Sequence, residues 1–234
     1  MSERSVAPIA VALDTGDLAT ATRWAQAVGP HVSTLKVGLE LFCAEGPGAV
    51  EKIGAAADTD LFLDLKLHDI PATVAGAARS VSSLAPDYLT VHASGGVAMI
   101  AAAADALPDT KITAVTILTS LTGDHLDQMG IAGPPEEAVV RLAQLAVGAG
   151  ARALVCSPQE VASVRSAVGA DVTLITPGVR PADSAHHDQA RVAKPERALA
   201  DGADIVVVGR PITGAADPGE AAAAIAAALA RRGR

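Results

Sequence analysis

The feature that most constrains the fold is a repeated alternation of strand-like and helix-like segments. Apolar runs of strand length occur at 8–14, 34–38, 61–66, 88–92, 112–118, 153–156, 172–178 and 204–210. Segments with helical periodicity lie between them, among them 18–28, 73–84, 136–150 and 218–232. A β-then-α order repeated eight times without a linker-like break is typical of a (β/α)8 barrel. We therefore predict a single (β/α)8 TIM barrel domain over residues 1–234.

An open, doubly wound sheet has the same alternation and is the alternative fold. That fold commonly carries a Gly-rich dinucleotide fingerprint after its first strand. Here the first strand runs into VALDTGD (11–17), which lacks that fingerprint and favours the barrel. Hydrophobic residues make up 50% of the chain and aromatic residues only 2%, so the core must be built mainly from Ala, Val, Leu and Ile. Such a composition suits buried parallel strands covered by Ala-rich helices.

The charge balance and the cysteines narrow the class of function. A formal net charge of −8 argues against a nucleic-acid or anionic-membrane surface, because both need clustered basic residues. The start of the chain has too short an apolar run for a signal peptide, and no later stretch has the length of a membrane span. Cys43 and Cys156 are isolated and outside any metal-ligand spacing. We therefore expect a cytoplasmic protein without a metal site.

Ionisable residues stand where apolar strands end, which is unusual for core strands. A surface loop with a salt bridge is the ordinary explanation of one charged run such as LFLDLKLHDIP (61–71). In this chain, however, charged or titratable residues end five predicted strands: Asp14, Lys36, Asp64 with Lys66, His92, and Arg210. The carboxyl ends of barrel strands form the rim where catalysis occurs in this fold. Side-chain alternation puts Asp64 and Lys66 on one face, whereas Asp69 begins the turn and points elsewhere.

The loops after the seventh and eighth predicted strands indicate a phosphorylated ligand. TPGVR (176–180) carries Gly178 and Arg180, and VVVGRPITG (206–214) carries Gly209 and Arg210. These two loops are the usual phosphate cradle of a TIM barrel, where Gly admits close backbone N–H groups and Arg adds a planar set of donors. Each loop alone is equally well explained as a turn with a surface arginine. Together, in an acidic protein, they favour phosphate, and the polar segment 179–194 predicts a lid.

The motifs at the strand ends resemble those of the orotidine 5′-phosphate decarboxylase family. They are VALD (11–14), LKVG (35–38), DLKLHDIPATV (64–74), VHASGG (91–96), VTILTS (115–120), TPGVR (176–180), DQARVAKP (188–195) and VVGRPIT (207–213). The resemblance implies conversion of orotidine 5′-phosphate to UMP and CO2, the last step of de novo pyrimidine synthesis, with neither metal nor organic cofactor. One departure is Ala72, where bacterial members often have Asn; this concerns only a local turn contact.

The resemblance also implies a role for each matching residue. The catalytic row would consist of Lys36, Asp64, Lys66 and Asp69, with Lys66 as the proton donor. The protein would be a homodimer in which Asp69 and Thr73 reach into the neighbouring chain's site. The remaining substrate contacts would come from Asp14 and Lys36 at the ribose, Thr119 and Pro177 at the base, Gln189 between base and phosphate, and Arg180, Gly209 and Arg210 at the phosphate.

Two other functions remain as alternatives. A Mg²⁺-dependent enzyme of the 3-keto-L-gulonate 6-phosphate decarboxylase type has a similar third strand but an acidic metal ligand on the second, where this chain has Lys36. A non-catalytic phosphate-binding barrel would have little use for a costly row of alternating charges. The sequence assigns no role to His68, His92, His186 or His187.

Overall fold

The computed structural model describes residues 6–179 and 193–231 of the chain. It contains a closed barrel of parallel strands in the order β1-β2-β3-β4-β5-β6-β7-β8. The strands are β1 (Ala7–Ala12), β2 (Val32–Gly38), β3 (Asp60–Leu67), β4 (Tyr88–His92), β5 (Lys111–Val115), β6 (Ala153–Val155), β7 (Thr173–Thr176) and β8 (Ile205–Val208). The predicted (β/α)8 TIM barrel is confirmed.

Helices connect successive strands and surround the barrel. They are α1 (Leu18–Val28), α2 (Leu39–Glu45), α3 (Pro47–Gly54), α4 (Pro71–Ser80), α5 (Val97–Ala106), α6 (Gly123–Gln128), α7 (Pro135–Gly148), α8 (Val161–Val168), α9 (Pro195–Ala200), α10 (Arg210–Thr213) and α11 (Pro218–Ala230). Their starts follow local chemistry: Asp17 caps α1 by accepting the Thr20 N–H at 2.9 Å, and Asp217 caps α11 in the same way. Proline stands in the first turn of α3, α4, α7, α9 and α11, where a backbone N–H is not needed.

The strands bury both of their faces, as the near-continuous apolar runs predict. Outward-facing residues such as Leu63, Leu89 and Leu174 pack against the helices in one large apolar cluster. Inward-facing residues of a second cluster fill the barrel interior: Ala10, Phe62, Tyr88, Ala153, Ile175 and Ile205. Because these side chains fill the barrel below the charged residues, the polar side chains further along the same strands are gathered at its mouth.

Several element boundaries differ from the predictions. The fifth strand, predicted over 112–118, ends at Val115, because residues beyond Thr116 leave the ladder and line the cavity at the mouth. The eighth strand ends at Val208, so Arg210 is not on the strand but is the first residue of α10. The helix predicted over 73–84 begins at Pro71 and ends at Ser80, and a separate 3-10 turn follows at Ser82–Leu84.

None of the helices in the described part of the chain is both long enough and apolar enough to cross a membrane.

Candidate active site

A cavity of about 340 Å³ opens at the carboxyl ends of the strands. Its lining combines charged residues on β2, on β3 and just after β1 with apolar and small residues, and with Arg210, from the other side of the barrel mouth. The predicted site residues that line it are Asp14, Lys36, Asp64, Lys66, Thr119, Pro177, Gly209 and Arg210. The structure thus brings together residues that are nearly 200 positions apart in the sequence.

The charged residues form a row of alternating sign along one wall of the cavity. Lys36 Nζ lies 3.1 Å from Asp14 Oδ1 and 3.5 Å from Asp64 Oδ2. Lys66 Nζ donates to both carboxylate oxygens of Asp64 at 2.8 Å. Lys36 and Asp64 are buried, whereas Asp14 is exposed at the outer end of the row. Each buried charge therefore has an opposite charge beside it, which is the condition for keeping it in the interior.

The row determines the ionisation of its central carboxylate. Burial raises the pKa of Asp64, but Lys36, Lys66 and the hydrogen bonds from Lys66 and Thr90 outweigh that effect. The net result is a pKa below the ordinary value for Asp, so Asp64 is ionised at neutral pH. The site consequently presents a fixed negative charge between two lysines.

Backbone geometry at Lys66 is unusual. Its φ angle is 49°, in the left-handed region that is uncommon for residues other than Gly. Its N–H donates to Thr90 Oγ1 at 2.8 Å, and the Thr90 hydroxyl donates to Asp64 Oδ1 at 3.0 Å. Sequence reasoning missed Thr90; the available signal was a polar residue at an inward-facing position of the apolar strand YLTVH (88–92).

Gly38 is a second site residue that sequence reasoning missed. A Cβ atom at this position would lie 2.9 Å from Asp14 Oδ1 and 3.0 Å from Lys36 Nζ, closer than ordinary contacts allow. The backbone φ of −98° is accessible to any residue, so the requirement is space rather than conformation. The glycine at the end of LKVG (35–38) was the available signal.

Asp69 and Thr73 lie away from the cavity of their own chain. Both are exposed, and neither is among the described residues that line the cavity. The Asp69 carboxylate accepts the N–H of Ile70 at 2.6 Å, just before α4 begins. The structure therefore does not bring Asp69 together with Asp64 and Lys66 within one chain.

The loops after β7 and β8 meet at another part of the same cavity. Pro177 and Gly178 follow β7, and Gly209 and Arg210 follow β8. Gly178 has a φ of 80°, which favours glycine at this turn. Arg180, Gln189 and most of the predicted lid lie outside the described residues, as do His186 and His187.

The rings of His68 and His92 lie close together, and His92 is near enough to Lys66 and Asp64 to feel their charges. Their ring centroids are 5.3 Å apart, with 35° between the ring planes. Burial is the main cause of a lowered pKa at His92, and nearby His68 and Lys66 add to it, while Asp64 opposes it. His92 is therefore neutral at pH 7.

In residues 6–179 and 193–231, no three His, Cys, Asp or Glu side chains are arranged to hold a metal ion.

Comparison with known proteins gives a consistent result over nearly the whole chain. The model of the orotidine 5′-phosphate decarboxylase / HUMPS family matches residues 7–225. The orotidine 5′-phosphate decarboxylase of Thermobifida fusca (strain YX) is 67% identical over 227 residues, which cover 97% of this chain and 97% of that protein. That of Anaeromyxobacter sp. (strain K) is 58% identical over 94% of this chain and 97% of its own. The crystal structure of orotidine 5′-phosphate decarboxylase from Lactobacillus acidophilus superposes with a TM-score of 0.83 at 36% identity, covering 95% of this chain and 99% of that one.

Proposed function

The chain belongs to the orotidine 5′-phosphate decarboxylase / HUMPS family, and we infer from this membership that it is a carboxy-lyase that converts orotidine 5′-phosphate to UMP and CO2 in pyrimidine biosynthesis. The observation that links this function to particular side chains is the row of alternating charges along the cavity wall, formed by Asp14, Lys36, Asp64 and Lys66. The family establishes the reaction. How the residues perform it is our proposal.

The reaction breaks the bond between C6 of the pyrimidine and its carboxylate. The electron pair of that bond stays on C6, where no adjacent carbonyl or Schiff base can accept it, so electrostatic stabilisation and a well-placed proton must serve instead. We propose that the Lys66 ammonium lies beside the developing carbanion and delivers its proton to C6. Lys66 then regains a proton from water.

Asp64 acts on the substrate carboxylate. Asp14 is exposed at the outer end of the row and is left out of this sum. Lys36, Asp64 and Lys66, with Asp69 from a partner subunit, then sum to zero formal charge, and the substrate carboxylate makes this set net negative. A contact between like charges about 4 Å apart costs about 4 kcal/mol at an effective dielectric constant near 20, as an upper guide. Departure of CO2 relieves this repulsion while the attraction between Lys66 and the carbanion grows. Both effects favour the transition state over the bound substrate.

The remaining lining residues bind the parts of the substrate that do not react. We propose that Asp14 and Lys36 hold ribose hydroxyls and that Thr119 and Pro177 contact the base, and their presence in the cavity lining supports this. The Gly209 backbone and the Arg210 guanidinium are proposed to bind the phosphate, since small loops with Arg after the last two strands serve this purpose in barrels. Arg180 and Gln189 remain proposed ligands of the phosphate and of the base-phosphate link.

We propose that the protein works as a homodimer in which Asp69 and Thr73 complete the neighbouring site. Both residues are exposed on their own chain, which leaves them available to another. Large apolar side chains are exposed in the segments that follow β2, β3, β4 and β5: Leu39, Ile70, Val97, Leu118 and Met129. A second copy of the chain would cover this apolar surface and bring Asp69 and Thr73 to the partner's cavity.

The Mg²⁺-dependent alternative is disfavoured by the environment of Lys36. Its ammonium is paired with Asp14 and Asp64 at the position where that enzyme type has an acidic metal ligand. A cation fixed there repels Mg²⁺.

We also propose a cytoplasmic location, which suits the free thiols of Cys43 and Cys156.

The test of the proposed function is UMP formation from orotidine 5′-phosphate, measured with and without EDTA. We expect turnover that is unchanged by EDTA. Turnover that requires added Mg²⁺ would support the alternative enzyme type, and phosphate binding without turnover would support a non-catalytic barrel.

A further inference from the structure

A single buried hydroxyl connects the two central members of the charged row. Thr90 is fully buried on β4, and it is not among the described residues that line the cavity. Its Oγ1 accepts the backbone N–H of Lys66 at 2.8 Å and donates to Asp64 Oδ1 at 3.0 Å. A hydroxyl has one proton to donate and lone pairs to accept, so Thr90 uses both capacities on the same pair of residues.

The pairing of β3 with β4 shows why this hydroxyl is needed. Leu63 pairs with Leu89 and Leu67 pairs with Val91, so the register advances by four residues on β3 and by two on β4. Regular ladder bonding is interrupted between these pairs, and Lys66, with its φ of 49°, lies inside the interruption. The Thr90 hydroxyl supplies the acceptor for the Lys66 N–H that the ladder does not provide there.

We propose that Thr90 is a positioning residue for the decarboxylation, an inference that rests on the proposed function. Its hydroxyl holds the Lys66 backbone in the bulge and fixes one oxygen of the Asp64 carboxylate. The Lys66 side chain therefore extends from a fixed backbone position, and the Asp64 carboxylate keeps a fixed orientation beside the substrate. Because Thr90 does not line the cavity, it acts through these two residues and not on the substrate.

Thr113 offers a matched control for this inference. It is the Cα partner of Thr90 on the neighbouring strand β5, and it is equally buried. Its hydroxyl donates to the carbonyl of Lys111 at 3.0 Å, within its own strand. Replacement of either threonine by valine keeps the shape of the side chain and removes one hydroxyl. Comparison of the two variants therefore distinguishes the loss of the Thr90 hydroxyl from the general effect of replacing a buried threonine by valine.

The experiment compares Thr90→Val, Thr90→Ser and Thr113→Val with the wild type by kcat, KM and pH profile, per folded enzyme. We expect kcat of Thr90→Val to fall by about ten- to a hundred-fold, since small misplacements of reacting groups have effects of this size. KM should stay within about threefold, because the substrate contacts are unchanged. Thr90→Ser keeps the hydroxyl and should restore most of kcat, and Thr113→Val should resemble the wild type.

The pH profile supplies a readout that a purely structural role would not move. Loss of the Thr90 hydroxyl removes one of the interactions that keep the pKa of Asp64 low. The acidic limb of the kcat/KM profile should therefore move to higher pH in Thr90→Val and stay in place in Thr113→Val. Equal acidic limbs in all variants would contradict the inference.

The outcomes separate this inference from the proposed function. Equal kcat in Thr90→Val and Thr113→Val, with an active wild type, overturns the inference alone, whereas an inactive wild type overturns the proposed function and the inference with it. Because a valine methyl beside a carboxylate costs stability, Thr90→Ala serves as a second variant. If neither Thr90→Val nor Thr90→Ala folds while Thr113→Val does, the Thr90 hydroxyl is needed for the stability of the barrel and the inference is wrong.

Discussion

Lys66 Nζ is shared equally between the two carboxylate oxygens of Asp64, at 2.8 Å from each. The ammonium therefore rests on the same carboxylate that, under the proposed function, faces the substrate's own carboxylate. A bound substrate offers the lysine a second negative partner and, as CO2 leaves, a carbanion. Under the proposed function, proton delivery requires the Lys66 side chain to turn from Asp64 toward C6.

The first prediction concerns Lys66 itself. Lys66→Ala removes the proposed proton donor and the cation beside C6, so kcat should fall by several powers of ten, each worth about 1.4 kcal/mol of barrier. The side chain is 29% exposed, so we expect the variant to fold. Single-turnover formation of UMP, with circular dichroism as a check of folding, measures the effect. More than a tenth of wild-type kcat in the variant would remove Lys66 from the mechanism.

The second prediction concerns the space that Gly38 leaves for the ion pair of Asp14 and Lys36. In Gly38→Ala the new Cβ would lie within about 3 Å of both charged groups, so the pair must shift. We expect kcat/KM to fall about tenfold or more. Gly48→Ala is the matched control, because a Cβ on Gly48, in α3, meets nothing within 4 Å. Equal effects of the two substitutions would show that the space at Gly38 is not needed.

Much of this site was predictable because short sequence patterns indicate the positions of its residues. Side-chain alternation in LFLDLK (61–66) predicted that Asp64 and Lys66 share one face. Both line the cavity, although the Lys66 backbone lies in the irregular pairing between β3 and β4. The same argument pointed Asp69 away from that face, and it is exposed outside the cavity. The barrel followed from the repeated alternation, because few topologies accommodate eight parallel strands with intervening helices.

Thr90 and Gly38 carried a signal in the sequence, but their roles could not be assigned from it because they depend on neighbouring strands. The contribution of Thr90 requires the break in register between β3 and β4, which no local pattern encodes. That of Gly38 requires the side chains of Asp14 and Lys36 to cross in front of it. Arg210 was assigned to a strand because its apolar run continues to Gly209, yet the chain turns into α10 at that point.

The third prediction concerns pH and the stability of the fold. The pKa of His92 is lowered, by burial first and then by His68 and Lys66, so the folded state prefers neutral His92. The unfolded chain then binds the proton more readily, and this contribution to stability is present above about pH 6.5 and is lost as pH falls through the lower folded pKa. Thermal unfolding between pH 5 and 8 should show a decline on acidification that is smaller in His92→Gln. An identical slope in both proteins would show that His92 does not contribute.

The fourth prediction concerns the phosphate, which lies far from the bond that breaks. Binding energy from a remote group lowers the barrier when it organises the site, so Arg210→Ala should reduce kcat/KM strongly, by about a hundred-fold or more. Arg23→Ala, on the exposed face of α1, is the control and should have no effect. Orotidine without its phosphate should also be a poor substrate for the wild type. If orotidine reacts as well as its phosphate ester, the proposed phosphate site is wrong.

The last prediction tests the shared site. Lys66→Ala and Asp69→Ala homodimers should each be nearly inactive, since every site in either dimer lacks one of the proposed catalytic residues Lys36, Asp64, Lys66 and Asp69. When the two proteins are mixed through a dissociation step, hybrid dimers form. In a hybrid, the site built on the Asp69→Ala chain keeps its own Lys66 and receives an intact Asp69 from its partner, whereas the opposite site lacks both.

Random reassortment makes half of the dimers hybrids with one complete site each, so activity should return to about a quarter of that of the wild type. Subunit exchange is verified independently, with differently tagged chains and mass spectrometry. A mixture of Lys66→Ala with Asp64→Asn is the matched control: both residues belong to the same chain's half of the row, so the hybrid has no complete site and should stay inactive. Verified exchange without recovery in the first mixture would mean that Asp69 serves its own chain. The exposed side chains of Leu39, Ile70, Val97, Leu118 and Met129 would then need another explanation.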